Sequence, residues 1–196
     1  MLTIGLTGKT GAGKSTVAAY LKEKGCYIID GDVIARQITE KGSPVLKTLQ
    51  AAFGEDILDE KGELIRPRLA RRAFSSRDNT DLLNSITHPE IKRRCEDEII
   101  KAKKEGFTVS VIDAAALLDS SCKELCDKIA VVTAPEEIRL DRILKRDGIT
   151  PEQAMTRIKA QKSDEYYFSY ADIIIRNYPP YDTYEDKYRE LEELIG

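Results

Sequence analysis

The sequence predicts an α/β fold: a five-stranded parallel sheet flanked by helices. Three observations carry that expectation. Residues 3–7, 26–30, 108–113, 128–134 and 172–176 are short stretches rich in Ile, Val and Leu with little alternation. Strands covered on both faces have that pattern. Helical stretches separate the five, and strands alternating with helices form parallel sheets. The first stretch also runs directly into Gly8-Lys9-Thr10-Gly11-Ala12-Gly13-Lys14-Ser15, a match to G-x-x-x-x-G-K-[ST], a loop that joins a strand to a helix.

The elements follow in order. The first strand and the glycine-rich loop lead into a helix from Lys14 to about Lys24, with Val17, Ala18 and Leu21 on one face and Gly25 as its stop. The second strand ends at Asp30-Gly31-Asp32. Residues 33–107 are too many for a single crossover helix. They contain a helical stretch at 44–53, a turn at Asp59-Glu60-Lys61-Gly62, a helix from about Arg66 and a long helix that His88-Pro89 is expected to open. Such an insertion after the second strand suits a substrate-binding cap. Beyond the fourth strand, Pro135-Glu136-Glu137 starts a helix that Asp147-Gly148 closes. Thr150-Pro151-Glu152-Gln153 then fits a capping box. Tyr181, Tyr184, Tyr188, Leu191 and Ile195 recur at helical spacing and predict a terminal helix packed on the domain.

Composition narrows the class. A chain of 196 residues, 41% hydrophobic, fits one domain with a sizeable core. The longest apolar runs, residues 17–21 and 114–118, are far short of the roughly 20 residues of a membrane span. No basic-then-apolar leader opens the sequence, so a cytoplasmic protein without membrane association is expected. The 31 basic and 34 acidic residues give a net charge of −3, against general nucleic-acid binding. Cys26, Cys95, Cys122 and Cys126 read as reduced thiols, and the single histidine, His88, excludes the usual zinc ligand sets.

The glycine-rich loop carries the chemistry. Glycines let backbone N–H groups turn inward around phosphate oxygens, and the following helix adds the positive end of its dipole. Gly11, Ala12, Gly13, Lys14, Ser15 and Thr16 are therefore the candidate ATP-binding residues. Lys14 reaches the outer phosphates and Ser15 offers a hydroxyl to Mg²⁺. A dinucleotide fingerprint would need glycine where Thr16 stands. A GTPase would need a guanine-reading N-K-x-D segment, which does not occur. It would also need a switch after the third strand, where Asp113 is followed by Ala114-Ala115-Ala116.

A small-molecule kinase fits better. Asp30 and Asp32 stand at the sheet edge where parallel α/β proteins carry their sites. A carboxylate there can take a proton from an attacking hydroxyl, although Asp32 could instead cap the next helix. Arg139, Arg142 and Arg146 share one helix face, where guanidinium groups can stabilise charge on a transferred phosphoryl group or simply face solvent.

Taken together, these motifs resemble the dephospho-coenzyme A kinase family. The likeness rests on Gly5-Leu6-Thr7-Gly8 with the loop, Ile29-Asp30-Gly31-Asp32 with Ala35-Arg36, and Phe53-Gly54. It continues through Gly62, Leu64 and Arg66, Leu83-Asn84, His88-Pro89-Glu90-Ile91, Arg142, Arg146 and Gln161, and ends with Ala171-Asp172 and Asn177. Two stretches depart from it. Ala116-Leu117-Leu118-Asp119-Ser120 stands where the family usually reads P-L-L-x-E, and Arg176 and Tyr178 flank Asn177 where an acid and a glycine are common. The resemblance implies a P-loop kinase fold in one domain, 1–196, with a helical substrate-binding insertion at 33–107 and a lid at 139–168. It implies that the second and third strands are neighbours. It also implies Mg²⁺-ATP-dependent phosphorylation of the ribose 3′-hydroxyl of dephospho-coenzyme A by a monomer or small homo-oligomer. Catalytic roles would fall to Asp32, Lys14, Arg142 and Arg146, nucleotide contacts would include Asn177, and acceptor contacts would include Asp32, Arg36, Arg66 and His88.

Overall fold

The computed structural model describes residues 1–179 and 184–196. Its centre is a sheet of β1 (Leu2–Gly8), β2 (Tyr27–Asp30), β3 (Val109–Asp113), β4 (Lys128–Thr133) and β5 (Ile173–Arg176). All neighbours run parallel in the order β2-β3-β1-β4-β5, so the second and third strands are adjacent. Each is short and apolar because both faces are covered. On one face Ile4, Leu6, Val111 and Val132 pack with Val17 and Leu21 of α1 (Lys14–Glu23). Tyr188 and Leu191 of the terminal helix, Tyr184–Ile195, join them, and the Tyr188 ring stacks on Tyr20 at 3.9 Å. That is the expected terminal-helix packing; Tyr181 of the same stripe lies outside the described residues.

On the other face Ile29, Ile112, Leu117 and Val131 meet Ile34 and Ile38 at the first insertion helix, α2 (Gly31–Gln37), and Cys95 from α5 (Arg77–Lys104). Between these two helices lie α3 (Pro44–Phe53) and α4 (Arg66–Ala73). With the start of α5 they enclose a core of their own: Leu49, Phe53, Ile57, Leu69 and Ala73, with Leu83 and Ile86 against it.

The long helix does not open at His88-Pro89. It begins at Arg77, capped by the Ser76 hydroxyl accepting from the Asn79 N–H, and Pro89 lies inside it. An internal proline forfeits a helical hydrogen bond and kinks or ends many helices. Here the preceding turns hold Leu83 and Ile86 against the insertion core, and that burial outweighs the lost bond.

Beyond β4, α6 (Glu136–Asp147) and α7 (Pro151–Lys159) share a small core of Ile143, Ala154 and Ile158, and α7 starts on the Thr150/Gln153 capping box. A short α8 (Asp164–Phe168) leads into β5. Because every strand points the same way, Gly8, Asp30, Asp113 and Thr133 arrive together at one sheet edge. Among the described residues, no helix is long and apolar enough to cross a membrane.

Candidate active site

The loop between β1 and α1 curls at that edge. Gly11 and Gly13 have φ of +80° and +92°, left-handed conformations that favour glycine. Both are also too crowded for a side chain. A Cβ on Gly13 would lie 2.0 Å from Asn177 Nδ2, and one on Gly11 would lie 2.6 Å from the Arg139 carbonyl oxygen. A loop whose N–H groups turn inward must turn carbonyls outward, and buried carbonyls need donors. Asn177, 4% exposed, supplies one: its Nδ2 donates to Ala12 O at 2.7 Å. Arg142 supplies the rest. Its Nη1 donates to Gly11 O and Ala12 O at 3.2 and 3.1 Å, while its Nη2 donates to Asn177 O at 2.8 Å.

A cavity of about 450 Å³ opens inside this loop, lined by Gly11, Gly13, Lys14, Ser15, Asp32, Arg142, Arg146 and Gln161 among others. The Lys14 ammonium is paired with Asp113 and stands 3.6 Å from Asp32 Oδ2. Burial pushes the Asp113 carboxyl up, and the pairing with Lys14 pulls against it. The two acids of the Asp30-Gly31-Asp32 turn separate cleanly. Asp30 is the helix cap, its Oδ1 accepting from Val33 N–H at 2.8 Å. Asp32 faces the cavity and accepts from Ala115 N–H at 3.3 and 3.4 Å. The capping role that the sequence left open for Asp32 falls to its neighbour.

The arginine row also separates. Arg139 is buried at 4% exposure, Arg142 is tied into the loop, and Arg146 lies at the cavity edge with its guanidinium on Asp147 at 2.7 Å. On the opposite rim, Thr10 N–H donates to Gln161 Oε1 at 3.0 Å and Lys9 pairs with Asp164 at 2.7 Å. Of the predicted loop residues, Ala12 is buried and contributes its carbonyl to the clasp, while Thr16 lies in the first turn of α1. Asn177 reaches the loop from behind.

Arg36, Arg66 and His88 lie away from the phosphate cavity, on the insertion. Arg66 Nη2 donates to Arg36 O at 3.3 Å. Arg66 also lines a mostly apolar cavity of about 210 Å³ with Ile38, Leu49, Leu69, Phe74 and Ile91 among its walls. His88 lies on α5. Burial holds its imidazole below the usual histidine range, while the Asp119 carboxylate pulls the other way. Asp119, in the segment that departs from the family pattern, also accepts from the Tyr166 phenol of α8 at 2.7 Å. Burial and that bond push Tyr166 up to about 12.

Sequence reasoning missed Asp113, Lys9 and Asp164 as site residues. For Asp113 a signal existed, an acid at the end of a central strand. Lys9 lies within the glycine-rich loop, but its pairing with Asp164, 155 positions away, carries no local signature.

The comparisons with known proteins agree with this geometry. The family model described as dephospho-CoA kinase matches residues 2–181. A dephospho-CoA kinase of Corynebacterium diphtheriae is 44% identical over 191 residues, covering 97% of this chain and 96% of that one. A crystal structure from Thermus thermophilus superposes with a TM-score of 0.79 at 28% identity, over 98% of this chain and 95% of that one. A dephospho-CoA kinase from Campylobacter jejuni gives 0.66 at 25% identity, over 98% and 94%.

Two outcomes follow from the geometry. Gly13→Ala forces a Cβ into the Asn177 amide and a side chain into a left-handed backbone, so thermal melting will fall and nucleotide binding, read by calorimetry, will weaken at least tenfold. His88 has a folded pKa below its unfolded value of about 6.5. Its contribution to stability is therefore complete above pH 6.5 and is lost as pH falls through the folded pKa. Melting curves between pH 7.5 and 5 will show a smaller acid-side drop for His88→Gln than for wild type.

Proposed function

The chain belongs to the dephospho-CoA kinase family, and we propose that it moves the γ-phosphoryl group of ATP to the ribose 3′-hydroxyl of dephospho-CoA. The chain is a P-loop kinase that phosphorylates dephospho-CoA in coenzyme A biosynthesis, and its nucleotide is ATP. The choice of hydroxyl, the metal and the role of each residue are the parts proposed here.

One observation carries the reading. Lys14 of the phosphate loop and Asp32 of the insertion's first helix stand 3.6 Å apart in one cavity, so a cation for the donor and a carboxylate for the acceptor meet there. In the transfer, the acceptor hydroxyl oxygen forms a bond to Pγ, and the bond from Pγ to the bridging oxygen of ADP breaks. Asp32 takes the hydroxyl proton. Lys14 leaves its acidic partners and follows the charge on the outer phosphates, and Arg142 and Arg146 stabilise that charge from the lid side. Gly11, Ala12, Gly13, Lys14, Ser15 and Thr16 cradle the polyphosphate, with Asn177 holding the cradle in shape.

Mg²⁺ fits the donors at hand. Ser15 in the first turn of α1 and the carboxylates of Asp32 and Asp113 are hard oxygen ligands near the same lysine. No cluster of three acidic, His or Cys side chains is found among the described residues, and Mg²⁺ needs none when phosphates and waters complete its shell. Bound there, the ion would help neutralise the charge of the polyphosphate.

The acceptor side is read from the insertion, 33–107. The Arg66 guanidinium bonds only a carbonyl among the described residues, and with Arg36 it offers charge to the acceptor's pyrophosphate. The apolar cavity beside it suits the pantetheine arm. His88 borders the same insertion. Residues 139–168 act as the lid within a single domain, 1–196. The enzyme works in the cytoplasm as a monomer or small homo-oligomer, on small molecules and without nucleic acid or membrane.

Steady-state kinetics test these roles. Lys14→Ala will lower kcat by roughly 100-fold or more at saturating ATP, and wild-type turnover would refute the loop assignment. Asp32→Asn will damage transfer more than Asp30→Asn, whose loss appears as a lower melting temperature because it removes a cap. With Mg²⁺-ATP fixed, kcat/KM for dephospho-CoA will exceed that for adenosine, AMP or shikimate. Remote contacts orient the reacting hydroxyl, so truncated acceptors lose kcat as well as affinity. Mass spectrometry of the product, with equal use of AMP as the contrary result, decides the acceptor.

A further inference from the structure

Arg139 is a charged side chain with no visible reason to be where it is. It is 4% exposed, and its Nε and Nη1 are fully buried without a hydrogen-bond partner among the described residues. Removing a cation from water without a partner is among the costlier things a fold can do. Two acids act on the same Tyr167 phenol as Arg139, and each is bonded elsewhere: Asp164 to Lys9 at 2.7 Å and Asp119 to the Tyr166 hydroxyl at 2.7 Å. Arg139 does weigh on the neighbouring Tyr167, whose phenol is pushed up by burial and by Asp119 and drawn down by the Arg139 charge. That influence is electrostatic and supplies no bond.

The position of Arg139 is specific. Its backbone closes on the phosphate loop so tightly that a Cβ on Gly11 would fall 2.6 Å from its carbonyl oxygen and 2.9 Å from its Cα. It does not line the phosphate cavity. One turn later on α6, Arg142 has its guanidinium committed to three loop and strand-end carbonyls. The helix thus brings two guanidinium groups to the loop, one bonded to its carbonyls and one with Nε and Nη1 unpartnered among the described residues.

We propose that Arg139 is a positioning residue for the donor nucleotide: a buried cation behind the loop, with Nε and Nη1 unpartnered among the described residues, that makes the cradle attractive to a polyphosphate. A charge in the interior is screened less than one at the surface, so it acts across the loop without contact. Its sign adds to the inward N–H dipoles and to the α1 N-terminus. The cost is borne by the free protein and is offset when the anionic ligand arrives. Stability of the empty enzyme and affinity for the nucleotide therefore respond to Arg139 with opposite signs, which a packing role cannot produce.

The inference rests on ATP occupying the loop, and the test separates the two. Wild type, Arg139→Met and Arg139→Lys are compared by thermal melting without nucleotide, by calorimetric Kd for ADP, and by KM and kcat with ATP and dephospho-CoA. Arg139→Met fills the space without the charge. It will melt at or above wild type, by up to about 2–4 °C, and its Kd for ADP and KM for ATP will rise about tenfold. Its kcat and its KM for dephospho-CoA will stay within about twofold. Arg139→Lys, which keeps the charge, will restore most of the nucleotide affinity. If Arg139→Met melts lower or fails to fold, the residue is packing and the proposal is wrong. It is equally wrong if the Met variant binds ADP as wild type does. A wild-type protein that binds no ADP or ATP would overturn the nucleotide reading first.

Discussion

The phosphate loop can face its amides inward only because its carbonyls are held from outside. Gly11 and Gly13 turn their backbones through conformations with little tolerance for side chains, and the outward carbonyls of Gly11 and Ala12 are met by Arg142 and Asn177. Those donors come from α6 and from the residue just past β5, which are remote from the loop in sequence. Asn177 is in turn fixed by its own N–H on Thr133 O at 2.9 Å and by the Arg142 bond to its carbonyl. The order β2-β3-β1-β4-β5 sets β1 directly beside β4 and β5 one strand further out. The sheet thus brings the clasp to the loop, and the loop presents the cavity.

The same edge balances charge. Lys14 stands between Asp113 and Asp32, each supplied by a different strand end. Asp113 is raised by its burial and Lys14 counters that rise. The two partners hold the ammonium at the cavity wall. Placing Asp32 rather than Asp30 in this role depends on a single hydrogen bond, from the Val33 N–H to Asp30. That bond spends Asp30 on the helix start and leaves the second acid of the turn to the cavity.

Much of this was legible in the sequence where the signal is local. The five strands were read from apolar runs, and each lies within two residues of its observed bounds because a doubly covered strand has no other way to look. The loop was read from glycines whose backbone demands are specific. The sequence was least informative where packing at a distance outweighs local preference. Pro89 signals a helix start, yet Leu83 and Ile86 bury against Leu49 and Phe53 and carry the helix two turns and more upstream. The arginine row had one appearance on a helical wheel and three environments in the fold: a buried cation at 139, a carbonyl clasp at 142 and an ion pair at 146. A period can say that residues share a face; it cannot say how far down that face the surface lies.

The segment that departs most from the family pattern joins the insertion to the short helix before β5. Leu117–Asp119 forms one short 3-10 turn, with Leu117 and Leu118 in the core beneath the sheet. That anchoring fixes Asp119 at the surface, where the Tyr166 hydroxyl of α8 donates to it and where its charge reaches His88 on α5. The Ser121 hydroxyl, two residues on, donates to the His88 carbonyl at 3.3 Å. An acid at 119 therefore does two things that its distance from the phosphate cavity would not suggest. It ties the helix leading into β5 to the turn after β3 and acts through its charge on His88 of the long insertion helix, to which Ser121 bonds the same turn. Any displacement of α8 must either break the Tyr166 bond or carry Asp119 with it, and the buried leucines beside Asp119 resist the second course. The loss of the usual proline and glutamate in this stretch is thus accompanied by a different set of contacts holding the same three elements together.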